Sequence, residues 1–162
     1  DVALELGTVL LKSANVFYTE KGARDALMSV LKDGSAKATF GEMVAAQGGP
    51  KNFSDRWQDY LTVAPAHFIA APRSGYVTAI DGTVLGHMVV ALGGGRQTEA
   101  DKIDHAVGLS DIVALGTQVR AGQPLAVLHA SDDSATKRAA GAFTIADAPT
   151  DLPPLIHERI LA

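Results

Sequence analysis

The chain contains no cysteine, which excludes disulfides, thiolate-bound zinc and a cysteine nucleophile together. That composition fits a cytoplasmic protein. There is no basic excess either. Fourteen Lys and Arg stand against 18 Asp and Glu, leaving a net charge of −4, so the charge balance does not argue for a nucleic-acid partner. No apolar run approaches the roughly 20 residues that a membrane-spanning helix needs. The opening DVALELGTVLLK has neither the basic n-region nor the small-residue cleavage site of a signal peptide, and no initiator Met. It starts inside what reads as a helix, so the expectation is a piece cut from a longer protein. What the chain does have is apolar content: 47% hydrophobic residues over 162 positions suffice for one sizeable core, with or without an appendage.

The period of the apolar residues divides the chain near Pro65. Before it the pattern is helical. Asp1, Glu5, Thr8 and Lys12 form one narrow polar stripe on a first helix that is otherwise apolar. In a second helix Ala23, Ala26, Leu27, Val30 and Leu31 make a core-facing stripe, with Thr19 as N-cap and Gly34 at the C′ position. Ser35 is placed to cap a third helix that turns Phe40, Met43 and Val44 inward and stops at Gly48-Gly49-Pro50. A short fourth helix around Ser54–Leu61 would stack Phe53, Trp57 and Tyr60 or Leu61 in a core.

From His67 the pattern becomes extended. HFIAA, YVTAI and VLGHMVVAL are short apolar runs separated by turn signals, and IDHAV, DIVAL and PLAVLHA continue the series. Ser131 or Asp132 is placed to cap a helix running to about Gly141, and a last extended piece is expected near Leu155–Leu161. The fold class read from this is α+β, with a helical N-terminal piece followed by a β-rich domain decorated by helices.

Chemistry-bearing candidates are few. Gly93-Gly94-Gly95-Arg96 offers converging backbone N–H groups and a guanidinium fork, as an anion-contacting or mobile loop. It matches neither the dinucleotide fingerprint nor the P-loop, and a plain connection between a strand and the next element explains it as well. His67, His87, His105, His129 and His157 show no chelating spacing, so structural roles are expected and no metal site. Glu99, Asp101, Lys102 and Asp104 read as a solvated mixed-charge face. Ser110 and Asp111 with a distant histidine make no recognisable triad, and the nucleophile-elbow pattern is absent. An independent small enzyme built on Arg96 and the 99–104 carboxylates would lack a nucleophile, a metal set and a cofactor motif. In GTQVRAGQPLAVLHA, Gly116 and Gly122 serve turns while Val119, Leu125, Val127 and Leu128 fill a small sandwich; Gly108, like these two glycines, implies a positive φ or a close approach. That spacing recurs in lipoyl- and biotinyl-type barrel-sandwich domains, but Lys137 lies in a predicted helix and not at a hairpin tip. A stand-alone barrel-sandwich binding or carrier-like module is therefore the alternative reading.

Five segments, taken in order, resemble the C-terminal part of the pyrimidine nucleoside phosphorylases, nearest to the bacterial thymidine phosphorylases. They are FGEMVAAQGGP at 40–50, APRSGYVTAIDGTVLGHMVVALGGGR at 71–96, IDHAVG at 103–108, GTQVRAGQPLAVLHA at 116–130 and LIHERI at 155–160. No single motif is decisive; their order and spacing carry the resemblance. It implies that residues 1–65 are the helical end of a central α/β domain and 66–162 a C-terminal α/β-hammerhead, a barrel-sandwich-like module. It further implies a cytoplasmic pentosyltransferase that converts thymidine plus phosphate to thymine plus 2-deoxyribose 1-phosphate. Such an enzyme needs no cofactor, since phosphate is a co-substrate, and works as a homodimer with neither nucleic acid nor membrane as partner. The family's Lys-x-Ser phosphate segment and its Arg, Ser and Lys base-binding set have no counterpart here. No catalytic or substrate-binding residue is therefore carried over, and the partner expected for this chain is the remainder of the phosphorylase.

Overall fold

The computed structural model describes residues 1–160; Leu161, the end of the expected extended piece, lies outside them. The chain forms two compact units, Asp1–Tyr60 together with the segment from Pro154 onward, and Leu61–Pro153.

The first unit is helical. Helix α1 spans Val2–Ser13, α2 Glu20–Lys32, α3 Ser35–Ala46 and α4 Phe53–Arg56, the last continued by a 3₁₀ turn at Trp57–Asp59. Thr19 caps α2 as expected, its Oγ1 accepting the Gly22 N–H at 3.1 Å, and Gly34 ends the helix in the left-handed region with φ 82°. The polar stripe of α1 does not face water. Thr8 is buried, donating its hydroxyl to the Leu4 carbonyl at 2.7 Å, and Glu5 and Lys12 reach Arg24 and Glu20 of α2. The apolar side is left open, with Leu10 69% exposed. Close approach of α2 explains the choice: a Cβ on Gly7 would stand 3.0 Å from Leu27 Cδ1, so the stripe bearing Thr8 and Gly7 admits a neighbour.

Three further expectations are corrected in this unit. Val30 and Leu31 are exposed, and only Ala23 of the α2 stripe is fully buried. Ser35 does not cap α3. The Asp33 carboxylate takes that role, accepting the Ser35 N–H at 2.8 Å and its hydroxyl at 2.7 Å. Phe40 and Met43 point outward, because α3 meets α4 through Gly41, where a Cβ would sit 2.8 Å from Ser54 Oγ. Phe53 therefore stacks between Phe40 and Tyr60, at centroid distances of 6.2 and 6.1 Å, in a half-open aromatic cluster. Trp57 is 46% exposed.

The second unit is the β-rich part. Strand β1 is Ala66–Ala70, β2 Gly75–Ile80, β3 Gly108–Ser110, β4 Gln118–Val119, β5 Pro124–His129 and β6 Phe143–Ala146. They form two antiparallel three-stranded sheets, ordered β1-β5-β3 and β4-β2-β6. One core draws on both sheets, with Ile69, Val77, Val119, Leu125 and Leu128 its largest fully buried side chains. Burial of each such side chain is worth about 1.5–3 kcal/mol. The register sends Ile69 and Leu128 inward, and a bulge at Ile69/Ala70 lets Leu125 and Ala126 both be buried. Val127 is not part of that core; it lies between Phe68 and Ser110 on the opposite face. The chain is α+β.

The run VLGHMVVAL is helical, contrary to the extended reading. Helix α5 covers Gly82–Val89, and a wider π-type turn follows at Val90–Gly94. Asp81 decides this locally: its carboxylate accepts the Val84 N–H at 3.0 Å, and the helix buries Leu85 and Met88, one turn apart. The IDHAV and DIVAL runs form no strand, and only Gly108–Ser110 between them is paired. The helix expected from Ser131 shrinks to α6, Thr136–Ala140, because Asp132 turns back to accept the Ser134 N–H at 2.8 Å. Residues 155–160 form no strand. Among the described residues no helix is long and apolar enough to cross a membrane.

Candidate functional site

The glycine loop follows a helix and not a buried strand. After α5 the backbone widens through Val90–Gly94, and Gly93, at φ 98°, leaves helical geometry. An L side chain is strained there, so glycine is required by the backbone itself. Gly94 is required by space, since a Cβ would meet Val89 Cγ1 at 2.6 Å. The loop is then pinned from the other side: Asp104 donates its N–H to the Gly93 carbonyl at 2.8 Å. Arg96 comes next on exposed backbone, and no carboxylate pairs with it among the described residues.

The neighbouring carboxylates are occupied locally. Asp101 accepts the Thr98 hydroxyl at 2.7 Å and the N–H groups of Thr98 and Gln97 at 2.8 and 2.9 Å. The Thr98 hydroxyl first, and then those two N–H groups, hold its carboxyl below the usual range. Asp104 accepts the Ala106 N–H at 2.9 Å. Both acids therefore close turns, and Glu99 and Lys102 are exposed. Of the expected loop, Gly93 and Gly94 close the π-type turn, and Gly95 and Arg96 follow it in irregular backbone. The chemistry within its reach is one guanidinium with no carboxylate partner among the described residues.

The sequence alone does not show which histidine meets Ser110 and Asp111; the structure brings His129 to them. Ser110 at the end of β3 has its Oγ 2.9 Å from His129 Nε2 on β5, and also donates to Asp111 Oδ2 at 2.9 Å. His129 Nδ1 faces the Ala64 carbonyl at 3.3 Å. Asp111 is held at φ 51°, which brings its short side chain back on Ser110. The order is carboxylate, hydroxyl, imidazole. In a nucleophilic triad the carboxylate orients the imidazole instead. Here the hydroxyl donates to the carboxylate while its oxygen faces the imidazole, so the cluster ties β3 to β5. The serine and histidine are 19 residues apart, and only antiparallel pairing brings them together.

The other histidines take structural or exposed positions. His67 Nε2 lies 3.2 Å from the Ala130 carbonyl, while His87, His105 and His157 are exposed. Among the described residues no group of three or more His, Cys, Asp or Glu converges as a metal site. Lys137 is an exposed side chain on α6. Gly116 and Gly122 both take φ 81°, as turns require, whereas Gly108 is an ordinary strand residue with open space where a Cβ would be.

Two small sheets sharing one core, an inserted helix, and polar groups that mostly close turns and strand ends define an α+β module of the architectural kind. The stretch from Tyr76 in β2 to Ala146 at the end of β6 matches the family model of the pyrimidine nucleoside phosphorylase C-terminal domain, residues 76–146. That stretch of the chain is similar to the C-terminal domain of the pyrimidine nucleoside phosphorylases, a family of pentosyltransferases.

Proposed function

We propose that the chain is the C-terminal portion of a thymidine phosphorylase, whose whole enzyme converts thymidine and phosphate to thymine and 2-deoxyribose 1-phosphate. The family match over residues 76–146 carries this reading, because the matched domain is the C-terminal one. On this reading residues 1–65 are the helical end of the central α/β domain and 66–162 a hammerhead. The remainder of the phosphorylase chain is the partner, the whole enzyme is a cytoplasmic homodimer, and no cofactor is needed. The Gly93–Arg96 loop is its mobile or phosphate-contacting element. Support for that role is the unpaired Arg96 on exposed backbone beside a pinned glycine. Binding phosphate and sugar in a water-poor cleft favours attack by phosphate over attack by water.

The test is phosphate-dependent release of thymine from thymidine, with deoxyuridine and uridine compared. The 162-residue chain alone is expected to show no release above a mock preparation, and release is expected once the upstream portion of the phosphorylase is supplied. Turnover by the chain alone would overturn the assignment of a catalytically silent portion. Joined chains that cleave uridine but not thymidine would overturn the thymidine assignment and leave the family intact. An unchanged mass after co-expression with a biotin or lipoate ligase is expected, in line with Lys137 lying on a helix.

A further inference from the structure

The segment after Pro153 returns to the helical unit, and the way it is held is specific. Arg159 forks between two helices: Nη1 lies 3.1 Å from Glu20 Oε1 on α2, and Nη2 lies 3.3 Å from Glu5 Oε2 on α1. Both acids already have cationic partners of their own, Lys12 at 3.4 Å for Glu20 and Arg24 for Glu5. The result is a chain of five charges with Arg159 closing it. Beside the network, Leu6 and Val9 of α1 face Ile156 and Ile160 across a cleft of about 310 Å³. Ile156 is half-buried, although its neighbours in the segment are exposed. Among the described residues the segment makes no strand pairing, and Arg159 supplies its hydrogen bonds to the two helices.

We propose that residues 154–160 are a releasable strap, latched by Arg159 onto Glu5 and Glu20, that sets how much of the apolar surface of α1 is open. The physical reasons are the weakness and the form of the latch. Ion pairs between exposed side chains are individually weak and are screened by salt. A bidentate guanidinium gives such a latch direction, which a lysine at 159 would not reproduce. Leu6 and Val9 are already 55% and 41% exposed with the segment in place, and its departure removes the cover that remains on the stripe they form with Val2 and Leu10. Lys12 and then Arg159 hold the Glu20 carboxyl below its usual range.

Trypsin reads the latch directly, because the bond after Arg159 is its substrate. Cleavage there is compared with that of the free peptide of residues 151–162 at the same salt, which removes salt effects on the protease. Cleavage at Lys32 and Lys37 reports general loosening of the helices. At low salt the intact chain is expected to be cut several-fold more slowly at Arg159 than the peptide, and this protection is expected to vanish near 1 M NaCl, where the Debye length falls to about 3 Å. Glu20→Gln is expected to lose most of the protection at low salt, with Lys32 and Lys37 unaffected. A solvatochromic apolar dye is expected to brighten in parallel. Cleavage at the peptide's rate at low salt would overturn the strap, as would protection indifferent to both salt and Glu20→Gln. The salt titration needs no variant, so a poorly folded Glu20→Gln chain leaves the test intact.

Discussion

Ser110 and His129 meet across β3 and β5, Oγ 2.9 Å from Nε2, with Asp111 on the far side of the same hydroxyl. The arrangement looks like part of a hydrolase and is wired differently, since the acid contacts the serine. Ser110→Ala is expected to cost roughly 1 kcal/mol in denaturant unfolding, the usual net worth of such a bond. A fluorophosphonate probe is expected to leave Ser110 unlabelled. Stoichiometric labelling, lost in His129→Asn, would show that the imidazole does activate this hydroxyl.

Gly93 and Arg96 are separable by substitution. Gly93→Ala places a side chain at φ 98° and is expected to cost about 1–3 kcal/mol, the range for a residue held in a disfavoured backbone region. Arg96→Ala removes an exposed, unpaired side chain and is expected to shift stability by no more than about 0.5 kcal/mol. Paired thermal melts check both. A stability loss in Arg96→Ala as large as that in Gly93→Ala would mean that the guanidinium has a structural partner.

Helix α5 depends on its cap. Asp81→Ala removes the acceptor of the Val84 N–H and is expected to cost about 1 kcal/mol. Amide exchange within 84–88 is expected to accelerate first. Unchanged exchange would show that burial of Leu85 and Met88 holds the helix without the cap.

Leu128→Ala opens the shared core of the two sheets and is expected to cost about 2–5 kcal/mol, while Phe68→Ala, on the exposed face of the same sheet, is expected to cost far less. Equal costs would show that Phe68 is covered in solution.

Acid is expected to weaken the fold through its turn-closing carboxylates. Asp101, Asp33 and Asp132 are all held below the ordinary 3.8, each chiefly by a neighbouring side-chain hydroxyl: Thr98, Ser35 and Ser134. A lowered folded value means that the unfolded chain takes up the proton first. The stabilisation is therefore complete above about pH 3.8 and is lost as the pH falls through the folded values. Asp101→Asn is expected to reduce the stability difference between pH 5 and pH 2.5. An unaltered difference would assign the acid sensitivity to other groups.

Much of this was legible in one dimension because it is local. Thr19 as N-cap, Gly34 and Gly48 in left-handed positions, Gly116 and Gly122 in turns and the strands β1, β2 and β5 each depend on a few consecutive residues and their intrinsic preferences. The family resemblance was legible for the same reason, being an order of such signals, and its segments at 71–96, 103–108 and 116–130 overlap the matched stretch 76–146. VLGHMVVAL was misread because a short apolar run does not distinguish strand from helix by period, and a single hydrogen bond from Val84 to Asp81 tips the balance.

By itself, then, the sequence determined the class of the fold, the cap of α2, several glycine turns, the resemblance carried by the matched stretch, and the absence of cysteine chemistry. Tertiary structure alone decided which face of α1 meets its neighbour, that Phe40, Met43 and Trp57 stay open, that Ser110 finds His129, and that Arg159 returns to Glu5 and Glu20. These are relations between residues distant in the chain. A local pattern says that a face is apolar or polar, but which face is covered depends on where a neighbouring backbone can come close, as at Gly7 and Gly41.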